Sequence, residues 1–139
     1  MAVVSRFSVK GGAYERRYSV VTDPGLSIEV LTAGGRAVIL LSGAVLVVDA
    51  TGAQQRIPSD FPAAFERLLA LTPSELTLAA SWAAPQRTEG ALVLRVDDLS
   101  VVSRYPSSEP LTSVARVGNQ LVFGARSALF VATPACSSP

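Results

Sequence analysis

The sequence contains no histidine, one cysteine and one lysine. The first absence removes the commonest general base and the commonest metal ligand. With it goes any Ser-His-Asp or Cys-His catalytic arrangement. The lone cysteine, Cys136, excludes an intrachain disulfide and a thiolate metal cluster. Charge is scarce as well. Charged residues make up 17% of the chain and the net charge is +1, so no global field draws it to nucleic acid or acidic membrane. Long apolar runs are missing. The longest, Ala37 to Val48, is broken by Ser42-Gly43, and a helical membrane span needs about 20 residues. The opening MAVVSRFSVKGG has no apolar core of a signal peptide, and the closing CSSP lacks the aliphatic positions of a prenylation signal. The expected location is cytoplasmic. Neither Gly11-Gly12 nor Gly34-Gly35 is followed by the Lys-Ser/Thr of a phosphate loop.

What is present is apolar and repetitive. Hydrophobic residues make up 49% of the 139 positions, enough for a sizeable core and too many for a disordered chain. The length fits a single domain. One pattern appears three times: a strand-like run, a tight turn, a second run, then a third run led by Ala. LSIEVLTAGGRAVILLSG leads into AVLVVDA, FERLLALTPSELTLAASW into ALVLRVD, and LTSVARVGNQLVFGARS into ALFVATP. Repetition of this kind marks an array of similar units. Period-2 alternation at Leu26, Ile28 and Val30 argues strands, and Ala33-Gly34-Gly35 is turn chemistry. The near-continuous run Arg36 to Leu41 suits a strand covered on both faces. The expected fold is one all-β domain of repeated four-stranded antiparallel meanders. It divides into an N-terminal hairpin (1–22), quasi-repeats at 26–58, 65–105 and 111–134, and a tail at 135–139. Val45, Val47, Leu92, Leu94, Leu129 and Val131 share an offset from the leading Ala and are the expected central core.

One segment reads differently. In SDFPAAFERLLAL, Ser59 or Asp60 is a candidate helix cap, with Pro62 near the first turn. Phe61, Phe65, Leu68 and Leu69 fall on one helical face, and Pro73 would end the element. The spacing predicts one short inserted helix around Phe61 to Leu69, although the repeat alignment would make Arg67 to Thr72 a strand.

AVLVVDATGAQQRI and ALVLRVDDLSVVSRY resemble the third and fourth strands of a β-propeller blade, and LTPSELTLAAS and ARVGNQLVFGA resemble the first and second. The resemblance covers roughly Leu26 to Pro134 and implies a partial propeller-like arc of about three blades. It lacks a Trp-Asp signature, a Gly-His pair and a kelch double glycine, so it assigns no residue a role. Propellers usually hold 4–8 blades, so three leave open edges that proteins normally cover. The alternative is a β-trefoil, which closes on itself with three repeats and would be a small binding module for carbohydrate or nucleic acid.

Chemistry-bearing residues are few. Asp97-Asp98 fits a hydrogen-bonded hairpin turn better than a metal site. Asp49 and Asp97 occupy matching repeat positions, which points to a structural task repeated per unit. The one basic, aromatic cluster is Arg6, Lys10, Tyr14, Arg16, Arg17 and Tyr18. Such a mixture can bind single-stranded nucleic acid, but it also suits an edge hairpin guarded by charge, and that is the expectation here. No cofactor, no metal and no catalytic residue is expected. The expected function is a non-enzymatic scaffold or structural subunit that meets a protein partner, or itself, through sheet edges.

Overall fold

The structure is a computed structural model that describes residues 2–10, 13–22, 28–41, 44–57, 61–82 and 87–133, with side chains described from Glu29 onward except at Leu41. β1 (Ala2–Lys10) and β2 (Ala13–Thr22) form an antiparallel hairpin. β3 (Ile28–Ala33), β4 (Arg36–Leu41), β5 (Ala44–Val48) and β6 (Gln54–Arg56) follow as a four-stranded antiparallel meander, sheet one. Sheet two repeats the order with β7 (Ala64–Leu71), β8 (Glu75–Trp82), β9 (Thr88–Arg95) and β10 (Val101–Ser107). Sheet three has three strands, β11 (Leu111–Val117), β12 (Gln120–Ala125) and β13 (Leu129–Ala132). The chain is therefore all-β. Among the described residues no ladder joins one sheet to another, as the closed barrel of a trefoil would require.

The sheets stack instead. Strand alternation gives each sheet two faces, and cross-strand pairs identify them. In sheet one, Val38 pairs with Val47 and Leu40 with Val45, and this face packs on Leu76, Leu78, Leu92 and Leu94 of sheet two. The opposite face of sheet two carries Ala79 and Ala91, which meet Leu121 and Phe123 of sheet three. The first strands lie close together: β7 neighbours both β3 and β11. Sheet two is thus covered on both sides, which is why Ala91 to Leu94 reads as an unbroken apolar run. Sheet one also buries its other face, made by Ala37, Ile39, Leu46 and Val48.

The segment expected to be helical is strand β7, with only Phe61 to Ala63 outside it. The register against β8 slips twice, between Phe65 and Arg67 and between Leu68 and Ala70. Each bulge sets two residues against one and shifts the phase of the strand. Phe65, Leu68 and Leu71, three residues apart, consequently turn to one core, while Leu69 turns to the other. A doubly bulged strand has a local period near 3, and the sequence read as a helix for that reason. Glu29 of β3 secures the second bulge. Its Oε2 accepts the Leu68 N–H at 2.8 Å, and its Oε1 lies 3.5 Å from Arg67 Nε. The expected caps Ser59 and Asp60 lie outside the described residues.

Polar ties also join the turn ends. Arg36 donates to Asp97 Oδ1 at 2.6 Å and to the Pro73 carbonyl at 3.2 Å, linking sheets one and two. Gly34, at φ +58°, lies against Pro73 in the same region, and a β-carbon there would touch the proline ring. The repeated structural aspartate is Asp49 with Asp98, not Asp97. Asp49 accepts from the Thr51 N–H and hydroxyl and from the Ala53 N–H; Asp98 accepts from the Ser100 N–H and hydroxyl. These hydroxyl and then backbone donors hold both carboxyls below the usual carboxylate range. The alignment one residue early missed that each turn reads Asp-x-Thr/Ser.

Candidate interaction surface

Of the six expected core positions, four are buried and two are not. Val45, Val47, Leu92 and Leu94 are inside, whereas Leu129 is 73% exposed and Val131 61%. The Ala-led offset does not select one face. Val45 and Val47 point from sheet one to sheet two, but Leu92 and Leu94 point from sheet two back to sheet one. On β13 it is Phe130 and Ala132 that turn inward, toward Phe123 and Leu121. Leu129 and Val131 therefore point away from sheet two, and no further sheet lies beyond them among the described residues.

These side chains belong to a continuous surface. Register pairs Ser113 with Gly124, Ala115 with Val122 and Val117 with Gln120 across β11 and β12. Gly124 and Val122 pair in turn with Leu129 and Val131. This outward face of sheet three carries no charged residue. Val117, Leu129 and Val131 are well exposed on it and Val122 partly so. A β-carbon added at Gly124 would collide with Ser113 Oγ, so the Ser113 hydroxyl covers that gap and keeps the face flat. The matching faces of sheets one and two are each covered by the next sheet. In sequence, the signal was the alternation of Leu129 and Val131 with Phe130 and Ala132. It shows two apolar faces on one strand, but it does not show which of them is covered.

The residues singled out from sequence lie elsewhere. Arg6 and Lys10 are on β1, and Tyr14, Arg16, Arg17 and Tyr18 are on β2. Backbone register sets Arg6 opposite Tyr18, Phe7 opposite Arg16, and Val9 opposite Tyr14. The ladder shifts beside Phe7, which leaves Arg17 without a register partner. Their side chains, and the turn at Gly11-Gly12, lie outside the described residues.

Two further features hold polar groups. A cleft of about 350 Å³ opens between sheets two and three, lined by Glu75, Thr77, Ser103, Tyr105 and Arg116 among others. It exists because sheet two presents Ala70, Thr77, Ala79 and Ala91 to sheet three, where it presents leucines to sheet one. The Tyr105 and Phe123 rings, with centroids 5.5 Å apart, bridge the two sheets at its base. At the other end of sheet two, Glu66 and Glu89 interact near Ser81. Burial, and then the negative charge of Glu89, push the Glu66 carboxyl above its ordinary value. Glu89 Oε2 is buried without a hydrogen-bond partner, while Oε1 is 3.4 Å from Arg87. Two carboxyls that share a proton can act as acid and base, but neither Glu66 nor Glu89 lines this cleft or the second, smaller one of about 270 Å³ beside Phe130. Among the described residues no group of three or more acidic or cysteine side chains is placed to hold a metal ion, and no helix is long and apolar enough to cross a membrane.

The chain matches no known protein-family model and no curated protein sequence.

Proposed function

We propose that this chain is a non-enzymatic scaffold or structural subunit, built as a propeller-like arc of stacked sheets and acting through protein–protein contacts. The observation that carries this reading is the outward face of sheet three. It is apolar, flat and uncharged, and it corresponds to faces that sheets one and two bury against their successors. Exposed apolar surface of this kind marks contact sites. The approach of β3, β7 and β11 supports the arc, since the first strands of neighbouring propeller blades meet around a common axis. The test is binding of an environment-sensitive apolar dye to the native chain, compared with the double variant Leu129→Lys, Val131→Lys. Dye binding that the double variant loses while remaining folded is the expected result. A native chain that binds no dye and forms no complex would overturn the reading.

A second reading, a small ligand-binding module, draws on the cleft beside Tyr105, which falls within the usual size range of ligand sites. Thermal-shift screening with monosaccharides, repeated on Tyr105→Ala, separates it from the first. Stabilisation by a sugar that the variant abolishes would favour the module.

A further inference from the structure

Resting on the scaffold reading, we infer that the partner for the outward face of sheet three is a second copy of this chain. Two copies lay these faces against each other across a two-fold axis. The argument starts from what the face can accept. Its equivalents in sheets one and two are each covered by an apolar sheet, so the occupant that suits it is another apolar sheet face.

Self-association through this face can take two forms, and the structure separates them. A head-to-tail array would dock sheet three of one copy on the free side of sheet one of the next. That side is closed, because Ala37 and Leu46 are 5% and 3% exposed and Ile39 and Val48 are fully buried. An array is therefore blocked, and the symmetric arrangement remains. A two-fold interface sets each residue near the axis against its own copy, so charge there would repel itself. Ser113, Ala115, Val117, Gln120, Val122, Gly124, Leu129 and Val131 satisfy this condition, since none is ionisable. Charged residues of sheet three point elsewhere: Arg116 lines the cleft toward sheet two, and Arg126 lies in the turn before β13.

Size sets the strength. Three strands about 4.8 Å apart, with about 3.3 Å per residue, give a face of roughly 250 Å² in projection. Stable interfaces cover about 800 Å² on each partner. The dimer is therefore weak and reversible, with dissociation on the order of 10–100 µM.

Sedimentation equilibrium of the full chain from submicromolar to millimolar concentration tests this. Expected is a monomer–dimer equilibrium without larger species, abolished by Leu129→Lys. In a Cys136→Ser background, Val131→Cys should form an interchain disulfide under mild oxidation. Val30→Cys, at an exposed position on β3 of sheet one, should not. A chain that stays monomeric throughout but binds the apolar dye would overturn the second-copy inference and leave the scaffold reading standing. A monomer that binds no dye would overturn both. Growth into large species, or equal crosslinking at Val30, would show that the contact is not this two-fold face.

Discussion

Leu94 and Leu129 stand at comparable places in two apolar strands, and truncating each to Ala should give opposite outcomes. Leu94 is fully buried at the centre of sheet two, between Leu76 of β8 and Val101 of β10, in the core shared with sheet one. Leu94→Ala removes three carbons there. At about 0.8 kcal/mol per buried methylene the transfer loss is roughly 2.4 kcal/mol, and the cavity left behind raises the total to about 3–4 kcal/mol. Leu129 is 73% exposed, so Leu129→Ala should change stability by less than about 0.5 kcal/mol. Both variants make the same chemical change in a strand, so differences in strand propensity largely cancel. Urea unfolding followed by fluorescence suits the protein, because Trp82 is its one tryptophan and packs against the same core. With a slope of about 2 kcal/mol/M, the Leu94→Ala midpoint should fall by roughly 1.5–2 M while that of Leu129→Ala stays in place. The protein should be submicromolar, below the range in which the proposed dimer would protect Leu129. Equal losses for the two variants, or a loss under about 1 kcal/mol for Leu94→Ala, would refute the assignment of faces.

Three more perturbations test the joints of the fold. Glu66 has a folded-state carboxyl pKa raised above its ordinary value of 4.5, so the native state holds that proton more tightly than the unfolded chain. Stability from this site is fully present below 4.5 and is lost as pH rises through the raised value. Glu66→Gln should therefore stabilise the protein at neutral pH and flatten its stability profile above 4.5, as read by denaturation at several pH values. An unchanged profile would count against the Glu66–Glu89 contact. Gly90 lies in β9 where a β-carbon would strike the Tyr105 carbonyl and approach the Trp82 ring, so Gly90→Ala should cost about 1–3 kcal/mol in thermal unfolding. Gly124→Ala, which meets only the movable Ser113 hydroxyl, should cost less, and the reverse ranking would place β9 and β10 wrongly. Glu29→Ala removes the acceptor for the Leu68 N–H at the bulge and should lose about 1–2 kcal/mol, with faster amide exchange at Leu68 as the local readout. Exchange that does not change would mean that the bulge does not depend on Glu29.

The amino-acid sequence by itself determined the all-β class, the meander order and the turns. Those depend on neighbours in the chain: period-2 alternation, the Gly34-Gly35 and Gly118-Asn119 turns, and aspartates placed to accept the backbone N–H groups that follow. The expectation failed where a tertiary partner chose between equal local options. Phe65, Leu68 and Leu71 fit a helix by spacing. They became a strand because β8 offered a ladder and two bulges could turn all three toward one core, with Glu29, 39 residues away from Leu68, satisfying the N–H freed there. Leu129 and Val131 have the same apolar alternation as Val45 and Val47, yet one pair is exposed and the other buried. Alternation specifies that a strand has two faces. Which face lies inside depends on whether another sheet stands over it, and that is a property of the stack rather than of any strand within it.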